Sequence, residues 1–486
     1  MITLNNMAPL MFGALVFVML IGFPVAFSLA ALGLSAGALS IWLGFFPAQY
    51  MSNLPLRIFG ILSNDLLLAI PFFTFMGAIL ERCGLAEDLL EGTGQLFGKV
   101  PGGLAFAVVI VGAILGAITG TVAASVIAMG MISLPIMMRY GYNMRLATGV
   151  IAASGTITQL IPPSLVLVVL ADQLGRSVGD MYKGAIGPSI LQVGIFLLYI
   201  AAIAIIKPQW VPPLPDEART EHGWKLWKRV LWGMVPSVVL IFLVLGTIFM
   251  GLATPTEAGA MGAVGAIVLA AMHKRLTWDL VRQGMESTMR ITAMVIFILI
   301  GSTVFSLVFQ GVDGGLWIEH LLSDLPGGQV GFLIFVNVFV FFLAFFLDFF
   351  EIAFIVLPLL VPIASKLGID LIWFGVLLCV NMQTSFMHPP FGFALFYLRG
   401  IAPKEVKSSD IYIGALPWVV MQLLLVVVVI VWPQSVTYWL DKNEVVDIDK
   451  ITIEVPDAGQ DNKPDANDFM RNMSPYNGGG EPAATK

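Results

Sequence analysis

The chain has 486 residues, of which 58% are hydrophobic and 12% are charged, and its formal net charge is −6. A soluble domain is about 45–50% apolar and about 25% charged, so this composition excludes an ordinary soluble protein. About ten stretches are apolar enough for a bilayer-spanning helix, which predicts an all-α polytopic membrane protein. No basic block indicates nucleic acid, and Cys83 and Cys379 lie far apart in apolar surroundings, which argues against a disulfide framework.

The first half of the chain predicts one series of membrane elements. Its N-terminus, MITLNNMAPLMFG, lacks a basic stretch and a cleavage site, which favours a retained first span over a removed signal peptide. Three spans come first, followed by an amphipathic stretch, two short apolar arms, an interrupted span and a plain span. The predicted ranges are 8–23, 28–44 and 66–81 for the spans, 102–138 for the arms, 143–172 for the interrupted span and 186–206 for the last one.

The second half repeats this order of elements after a polar linker. The linker, 207–229, combines prolines with mixed charges, which suits a connection followed by an interfacial helix. An acidic tail, 433–486, is too polar to bury a core, so we expect it to be flexible and to lie in the periplasm. The predicted ranges are 230–250, 256–272 and 291–311 for the spans, 328–366 for the arms, 369–399 for the interrupted span and 410–432 for the last one.

Anchor residues indicate that 1–206 and 230–432 are two copies of one unit. Pro135, Gly141, Pro162 and Pro163 recur at a constant offset as Pro362, Gly368, Pro389 and Pro390. Internal repeats of this kind are typical of secondary transporters. If each pair of arms forms a re-entrant hairpin, each half crosses the membrane five times, so the second half must be inverted. Applied to the basic loops, the positive-inside rule then predicts that both termini are periplasmic.

The two Pro-Pro pairs interrupt otherwise apolar spans. Proline removes a backbone donor and clashes with the preceding turn, so two in succession open the helix. Freed carbonyls suit a cation, and the start of the next half-helix suits an anion. The alternative is a structural kink whose hydroxyls bond within their own helix. Polar residues near the breaks are Ser154, Thr156, Thr158 and Gln159 in the first half and Asn381, Gln383, Thr384 and Ser385 in the second.

The hairpin tips carry a second set of oxygen ligands. Thr119, Gly120 and Thr121 combine a turn residue with two hydroxyls, which are hard ligands of the kind that sodium prefers. Asp348 at the second tip is a carboxylate at membrane depth, which is a functional hypothesis by default. The alternative is that Asp348 caps the following helix and that Glu351 points into an aqueous entrance.

Two further polar positions have structural explanations. Thr254 and Glu257 have the spacing of a helix capping box. His388 adjoins the second Pro-Pro pair, where it either titrates near neutral pH or is simply hydrogen-bonded. The chain contains no GxxxxGK[ST] or HExxH motif, so we predict neither ATP hydrolysis nor another enzyme activity.

Several stretches together resemble the large membrane subunit of tripartite ATP-independent periplasmic (TRAP) transporters, the DctM-like family. They are ITGTVAASVIAMGMISLPIMMRYGY, GVIAASGTITQLIPPS, ATPTEAGA, FFLDFFEIAFIVLPLLVPIASKLGID and FGVLLCVNMQTSFMHPPFGFALFYLRGIAP, and the resemblance covers about 8–432. The last two are most similar to the branch linked to chloroaromatic, mannitol or 2-oxo acid uptake.

The resemblance implies a sodium-coupled elevator-type importer of organic acids in the bacterial inner membrane. Its implied partners are a small four-helix membrane subunit and a periplasmic solute-binding protein. It implies no cofactor, and sodium is the coupling ion. By position, Thr119–Thr121 occupy the family's Ser-Gly-Ser tip, and Asp348 matches its hairpin acid. The implied sodium ligands are oxygens of Gly120, Thr121, Gly155, Asp348 and Thr384, with Gly155–Pro163 and Asn381–Pro390 completing the two sites.

This chain departs from the family pattern at two places. Threonine replaces serine at the first tip, which keeps the oxygen, and His388 stands where the family commonly has threonine. A stand-alone carrier or antiporter of the same architecture, and an ion channel, are the alternative functions.

Overall fold

The computed structural model describes residues 3–119, 121–215, 217, 223–323, 325–345, 347–388 and 392–440. Within these ranges, the side chains of residue 20, of 85–87, of 118 and 119 and of 323 lie outside the description. The described residues form helices and no strand, which confirms the predicted all-α class.

Twenty-one α-helices follow one another along the described part of the chain, with short 3-10 helices between some of them. They are α1 (Leu4–Ile21), α2 (Val25–Trp42), α3 (Leu54–Leu62), α4 (Asp65–Arg82), α5 (Leu85–Leu96), α6 (Gly103–Thr119), α7 (Val122–Arg139), α8 (Met144–Thr156), α9 (Leu165–Leu174), α10 (Val178–Ile206), α11 (Trp224–Phe249), α12 (Pro255–Met272), α13 (Trp278–Gly311), α14 (Gly314–Ser323), α15 (Gly328–Leu343), α16 (Phe349–Ile355), α17 (Leu357–Lys366), α18 (Leu371–Met382), α19 (Phe393–Ile401), α20 (Ser408–Val431) and α21 (Gln434–Thr437). The 3-10 helices are Ala48–Asn53, Ile157–Gln159, Pro208–Trp210 and Gln383–Phe386.

Seven of the described helices are long and apolar enough to cross a membrane, or nine if each of two bent pairs counts as one span. The seven are α2, α7, α10, α11, α12, α13 and α20. Helix α7 was expected to be too short to span, but its 18 residues extend about 27 Å, close to the thickness of a hydrocarbon core. Length alone therefore does not separate hairpin arms from spans in this protein.

Local sequence signals position the broken helices at equivalent points of the two halves. Gly141 and Gly368 end the second hairpin arms with positive φ angles of 76° and 69°, a conformation that glycine adopts without strain. Two residues later, the Asn143 side chain accepts from the backbone N–H groups of Arg145 and Leu146, and Asp370 caps α18 in the same way. Each broken helix thus starts from a matched glycine turn and polar cap.

Contacts between the two halves are reciprocal. Helix α2 packs along α13 while α4 packs along α12, and α5 packs on α11 while α14 packs on α1. In the same way, α8 packs on α20 while the equivalent α18 packs on α10. Likewise, α7 packs on α19 while the equivalent α17 packs on α9. Two equivalent units related by a pseudo-twofold axis produce this pattern, so the contacts support the repeat inferred from the anchor residues.

Helix α13 shows that the two hairpins enter from opposite ends. Its 34 residues extend about 50 Å, the full depth of a bilayer with its interfaces. Arg82, where α4 ends and leads to the first hairpin, donates to Gln283 (2.5 Å) and Ser287 (2.9 Å) at the beginning of α13. The second hairpin follows α14, which leaves from the other end of α13 at Gly311. The hairpins are therefore inverted relative to each other.

Three segments differ from the simplest reading of the sequence. The segment 48–62 was assigned no element, yet it forms a 3-10 turn and α3, which bends by 46° into α4. Helix α11 begins at Trp224, so the basic end of the linker belongs to a span. After α20, α21 packs on α10, while 441–486 lies outside the described residues.

Candidate functional site

The two interrupted spans open where the sequence predicted. Helix α8 ends at Thr156 and continues as one 3-10 turn before α9 begins at Leu165. Helix α18 ends at Met382 and continues as a 3-10 turn before α19 begins at Phe393. Pro162 and Pro163 lie in the first opening and are joined by a cis peptide bond. Pro389 and Pro390 lie outside the described residues.

The two breaks lie side by side in the core. The Thr156 hydroxyl is 3.7 Å from the Met387 sulfur, and the Cys379 sulfur is 3.6 Å from the Gln159 carbonyl oxygen. These residues are all buried. The structure therefore brings the breaks of the two repeats into direct contact, although they are more than 200 residues apart in the chain.

The hairpin arms hold the first break by close backbone contact. A Cβ atom added to Gly112 would lie 2.7 Å from the Ser154 Cβ, and one at Gly116 would lie 3.0 Å from the Thr158 Cα. In the second repeat the position equivalent to Gly112 is Asn337, whose backbone oxygen accepts from Asn381 at 2.7 Å. Small residues thus bring α6 against α8, whereas an amide pair joins α15 to α18.

Gly155→Ala is expected to lower the thermal stability of the purified protein. A Cβ at this position would overlap Cγ2 of the stiff Val126 side chain and lie 3.2 Å from the Val126 Cα, so α7 must move. Overpacking of this kind costs about 1–3 kcal/mol, which outweighs alanine's helix advantage of roughly 1 kcal/mol. Gly194→Ala is the matched control, because no atom lies within 4 Å of its added Cβ. Equal melting temperatures for the two variants would contradict the close approach.

Three predicted hydroxyl ligands bond within their own helix. Thr156, Thr158 and Thr384 donate to the carbonyls of Ala153 (2.8 Å), Gly155 (3.0 Å) and Asn381 (2.7 Å). These three hydroxyls therefore donate within their own helices, as the alternative of a structural kink predicted. The hydroxyl oxygens keep lone pairs, so these bonds do not remove them as cation ligands.

Other buried polar atoms around the breaks have no hydrogen-bond partner in the described protein. In a low-dielectric interior, such orphaned groups are costly and are usually explained by a bound ion, ligand or water. Several are oxygens, the donors that a hard cation takes. They are Ser154 Oγ, Gln159 Oε1, Asn381 Oδ1, Ser385 Oγ, Gln192 Oε1 and Gln422 Oε1, together with the nitrogens Gln383 Nε2 and Trp418 Nε1.

Asp348 caps the second hairpin arm, as one of the two alternatives expected. Its carboxylate accepts from the Glu351 N–H at 2.9 Å. The Glu351 carboxylate in turn accepts from the Asp348 N–H at 3.0 Å, which completes a capping box. This back-bond holds the Glu351 carboxylate at the tip, and the expectation that it faces an aqueous entrance stays a prediction. One carboxylate oxygen of Asp348 makes the cap, and the other is not used in it.

The remaining predicted positions divide into packed residues and residues that are not described. His388 lies between aromatic rings, with its ring centroid 4.4 Å from that of Phe345 and 4.3 Å from that of Phe341. Thr121 is half-buried at the start of α7. Gly120 and the Thr119 side chain lie outside the described residues, and Thr254 and Glu257 form the predicted capping box.

Sequence reasoning missed three polar residues beside the breaks. Gln192 on α10, Gln422 on α20 and Asn337 on α15 are buried within apolar helices. A signal was present for the glutamines, since each lies ten residues after the tyrosine of a Tyr-x-Gly-Ala segment, at Tyr182 and Tyr412. An amide in a membrane-spanning helix is conspicuous when it recurs at the equivalent point of a second repeat.

Comparison with known proteins identifies the family. The profile described as "Tripartite ATP-independent periplasmic transporter, DctM component" matches residues 12–435. The C4-dicarboxylate TRAP transporter large permease protein DctM of Rhodobacter capsulatus is 30% identical over 439 residues, which cover 87% of this chain and 96% of that protein. The isethionate TRAP transporter permease protein DctMQ of Oleidesulfovibrio alaskensis is 28% identical over 419 residues, 86% of this chain and 64% of that protein.

A solved structure shares the fold. The Alcanivorax borkumensis YdaH transporter, whose crystal structure has an unusual topology, superposes with a TM-score of 0.59 at 16% sequence identity, covering 86% of this chain and 98% of that one. The matched relatives are transporter permeases rather than enzymes, in agreement with the prediction from the sequence. The assignment to the chloroaromatic, mannitol or 2-oxo acid branch stays a prediction. The chain belongs to the family of DctM components of tripartite ATP-independent periplasmic transporters.

Proposed function

We propose that this chain is the transport subunit that carries an organic acid across the inner membrane together with sodium ions. One observation carries the proposal: two helix breaks meet in the buried core, each flanked by its own hairpin and by orphaned oxygen atoms. Open backbone at membrane depth is tolerated where it lines a cavity or binding site. The arrangement thus provides a place where a solute and its coupling ions can leave water.

The substrate is an anion recognised without a buried basic residue. The two relatives are named for C4-dicarboxylate and for isethionate, both of which are acids. Among the described residues, no lysine or arginine side chain is buried in the core. Helix N-termini, hydroxyls and amides then supply the donors, and the accompanying cations neutralise the charge.

Sodium fits the donor set better than a transition metal does. The oxygens near the breaks come from hydroxyls, amides and backbone carbonyls, and Asp348 adds one carboxylate at the second tip. Hard oxygen ligands suit alkali and alkaline-earth cations, whereas transition metals favour imidazole and thiolate. In the proposed sites, Gly120, Thr121 and Gly155 supply ligands in one repeat, and Asp348 and Thr384 supply them in the other.

Two partners complete the proposed transporter. The match covers only 64% of the DctMQ permease, and the additional part of that protein is expected to correspond to the small four-helix subunit that we propose as a partner. A periplasmic solute-binding protein is expected to deliver the substrate. In this arrangement, both termini of the chain face the periplasm.

Unequal crevices support alternating access by an elevator movement. One crevice of about 480 Å³ separates α5 from α7, and another of about 270 Å³ separates α14 from α17. They are lined at equivalent positions, by Ile132 and Ile136 in the first and by Leu359 and Ile363 in the second. A symmetric pair of gaps with different widths is expected of a two-state machine at rest in one of its states.

Ion pairs follow the same asymmetry. Beside the narrower crevice, Lys366 at the end of α17 binds Glu319 on α14 at 2.6 Å. The equivalent acid beside the wider crevice, Asp88, instead pairs with Arg229 (3.8 Å) and Arg275 (3.5 Å). Arg139, which is equivalent to Lys366, lies over the Tyr140 ring and forms no ion pair with a described residue. We infer that the opposite state pairs Arg139 with Asp88 and releases Lys366.

Uptake by the reconstituted complex tests the proposed function. Proteoliposomes containing this chain and its small subunit are supplied with the cognate binding protein and a panel of labelled dicarboxylates, 2-oxo acids and sulfonates. An inward sodium gradient is expected to drive accumulation of at least one solute, and an equal potassium gradient is not. Accumulation without sodium dependence would contradict the coupling, and full uptake without the binding protein would indicate a stand-alone carrier.

A further inference from the structure

Two buried glutamines occupy equivalent positions on the last helices of the two repeats. Gln192 on α10 is 1% exposed and Gln422 on α20 is 0% exposed. Burying an amide in an apolar helix is costly unless it is paired, so each residue needs a specific partner. Nothing in the predicted ion sites explains why an amide stands at these two points.

Each glutamine reaches the helix break of the opposite repeat. Gln192 Nε2 donates to Gln383 Oε1 at 2.6 Å, and Gln422 Nε2 donates to Thr156 Oγ1 at 3.1 Å. The two partners are themselves equivalent, since each lies six residues before the first proline of its Pro-Pro pair. Both hydrogen bonds therefore obey the internal symmetry of the fold, although the residues that accept them differ.

Helix α10 contacts both breaks through one face. The Ser189 hydroxyl donates to Ala185 O of its own helix at 2.7 Å and lies 3.2 Å from the Leu160 carbonyl oxygen of the first break. Gln192, three residues later, holds the second break. Residues three apart lie on the same side of a helix. Helix α20 likewise contacts the 3-10 turn Gln383–Phe386 of its own repeat while Gln422 holds Thr156. Each last helix thus connects the two breaks rigidly.

The two hydrogen bonds fix the shape of the turns that offer oxygen ligands. Thr156 donates to Ala153 O and accepts from Gln422, so its hydroxyl has a single orientation. Ser154 and Thr158, which pack against Gly112 and Gly116 of α6, lie within two residues of it in the chain. A turn that is already ordered binds an ion without a further loss of conformational freedom. Order imposed on one turn by a bound ion is transmitted to the other through α10 and α20.

We propose that Gln192 and Gln422 are positioning residues that couple the two sodium sites. This inference rests on the proposed sodium coupling and adds that the two sites fill cooperatively. Neither glutamine is required as a direct ion ligand. Each acts through the residue that it holds, Gln383 or Thr156.

Sodium-dependent thermal stabilisation of the purified protein tests this coupling without a transport substrate. The melting temperature is followed against NaCl, with KCl at equal ionic strength as the reference. Gln192→Leu and Gln422→Leu are each expected to raise the half-saturating sodium concentration about five- to tenfold, the effect of one lost buried hydrogen bond. The Hill coefficient is expected to fall from above one towards one in both variants.

A double variant and a control separate positioning from general damage. Gln422→Leu/Thr156→Val is expected to be no worse than Thr156→Val alone, because the glutamine acts through this threonine. Thr74→Val removes a buried hydroxyl that bonds only to Ile70 O within its own helix, at 2.7 Å, and is expected to leave the sodium response unchanged. If Gln422→Leu yields little folded protein, Gln422→Asn, which keeps the amide and shortens its reach, tests the same contact.

The outcomes distinguish this inference from the proposal on which it rests. A sodium response in the wild type that all glutamine variants retain would overturn the coupling alone. Additive effects in the double variant, or an equal shift in Thr74→Val, would overturn it as well. A wild type without a sodium-specific response would instead overturn sodium coupling itself.

Discussion

Asp348→Asn is expected to reduce sodium-coupled uptake severely at ordinary sodium concentrations while leaving the fold intact. Asparagine caps helices as well as aspartate does, so it keeps the acceptor for the Glu351 N–H, which is now at 2.9 Å. The substitution removes the charge of Asp348 and leaves the Glu351 carboxylate at the second hairpin tip in place. Losing one charge-assisted ligand costs about 2 kcal/mol, roughly thirtyfold in ion affinity. Uptake in proteoliposomes and melting temperature are measured on the same preparation.

A second substitution at the same position separates the cap from the charge. Asp348→Ala removes both and is expected to lose about 1 kcal/mol of stability in addition to transport. Asp370→Asn is the matched control, because Asp370 caps α18 through the Trp373 N–H at 2.8 Å but lies at the end of that helix away from the break. It is expected to transport like the wild type. Normal uptake by Asp348→Asn would show that Asp348 is a cap and nothing more.

Sequence reasoning located the helix breaks and the cap, where the local signals were strong. Paired prolines open a helix whatever its neighbours do, and an aspartate followed three residues later by glutamate forms a cap by itself. The constant offset between Pro162 and Pro389 therefore revealed the breaks, and the DFFE segment revealed the cap. Neither prediction required knowledge of the tertiary structure.

The parts that sequence reasoning missed depend on contacts between the repeats. Whether Gln192 faces lipid, its own break or the opposite break is decided by the crossing of α10 with α18, which periodicity does not specify. The need for glycine at residue 155 arises from the approach of Val126 on another helix. The segment 48–62 was missed because Pro47, Asn53 and Pro55 suggest a loop, although a proline at the start of α3 is compatible with a helix.

Joining α14 to α17 is expected to stop transport. Glu319→Cys and Lys366→Cys place thiols at two positions whose longer wild-type side chains meet at 2.6 Å, so a short cleavable bifunctional thiol reagent spans the gap between the cysteines. The bridge holds the narrower crevice closed, and the proposed elevator cycle requires this crevice to open. Uptake is expected to fall to background and to return when the linker is cleaved. The native Cys83 and Cys379 are buried, and single-cysteine variants treated with the reagent serve as controls.

The equivalent pair in the first repeat is expected to respond to the transport cycle. Asp88→Cys lies on α5 and Arg139→Cys at the end of α7, the two helices that the wider crevice separates, so their bridging in the resting protein is expected to be slow. Addition of sodium and substrate is expected to accelerate it, because the cycle then visits the state in which this gap closes. Normal uptake by the protein bridged between positions 319 and 366 would contradict the exchange of ion pairs. Bridging of the first pair at a rate independent of sodium and substrate would contradict it as well.

The ion pairs themselves bias this movement without blocking it. Lys366 is 62% exposed and Glu319 is 33% exposed, and a pair in such surroundings contributes at most about 1 kcal/mol. If a pair of similar strength forms at Asp88 in the opposite state, the two contributions nearly cancel and the states stay within roughly fivefold of each other in population. Lys366→Ala is therefore expected to change uptake only about fivefold, whereas the covalent bridge stops it. The difference in uptake between this variant and the bridged protein measures how close to balance the two states lie.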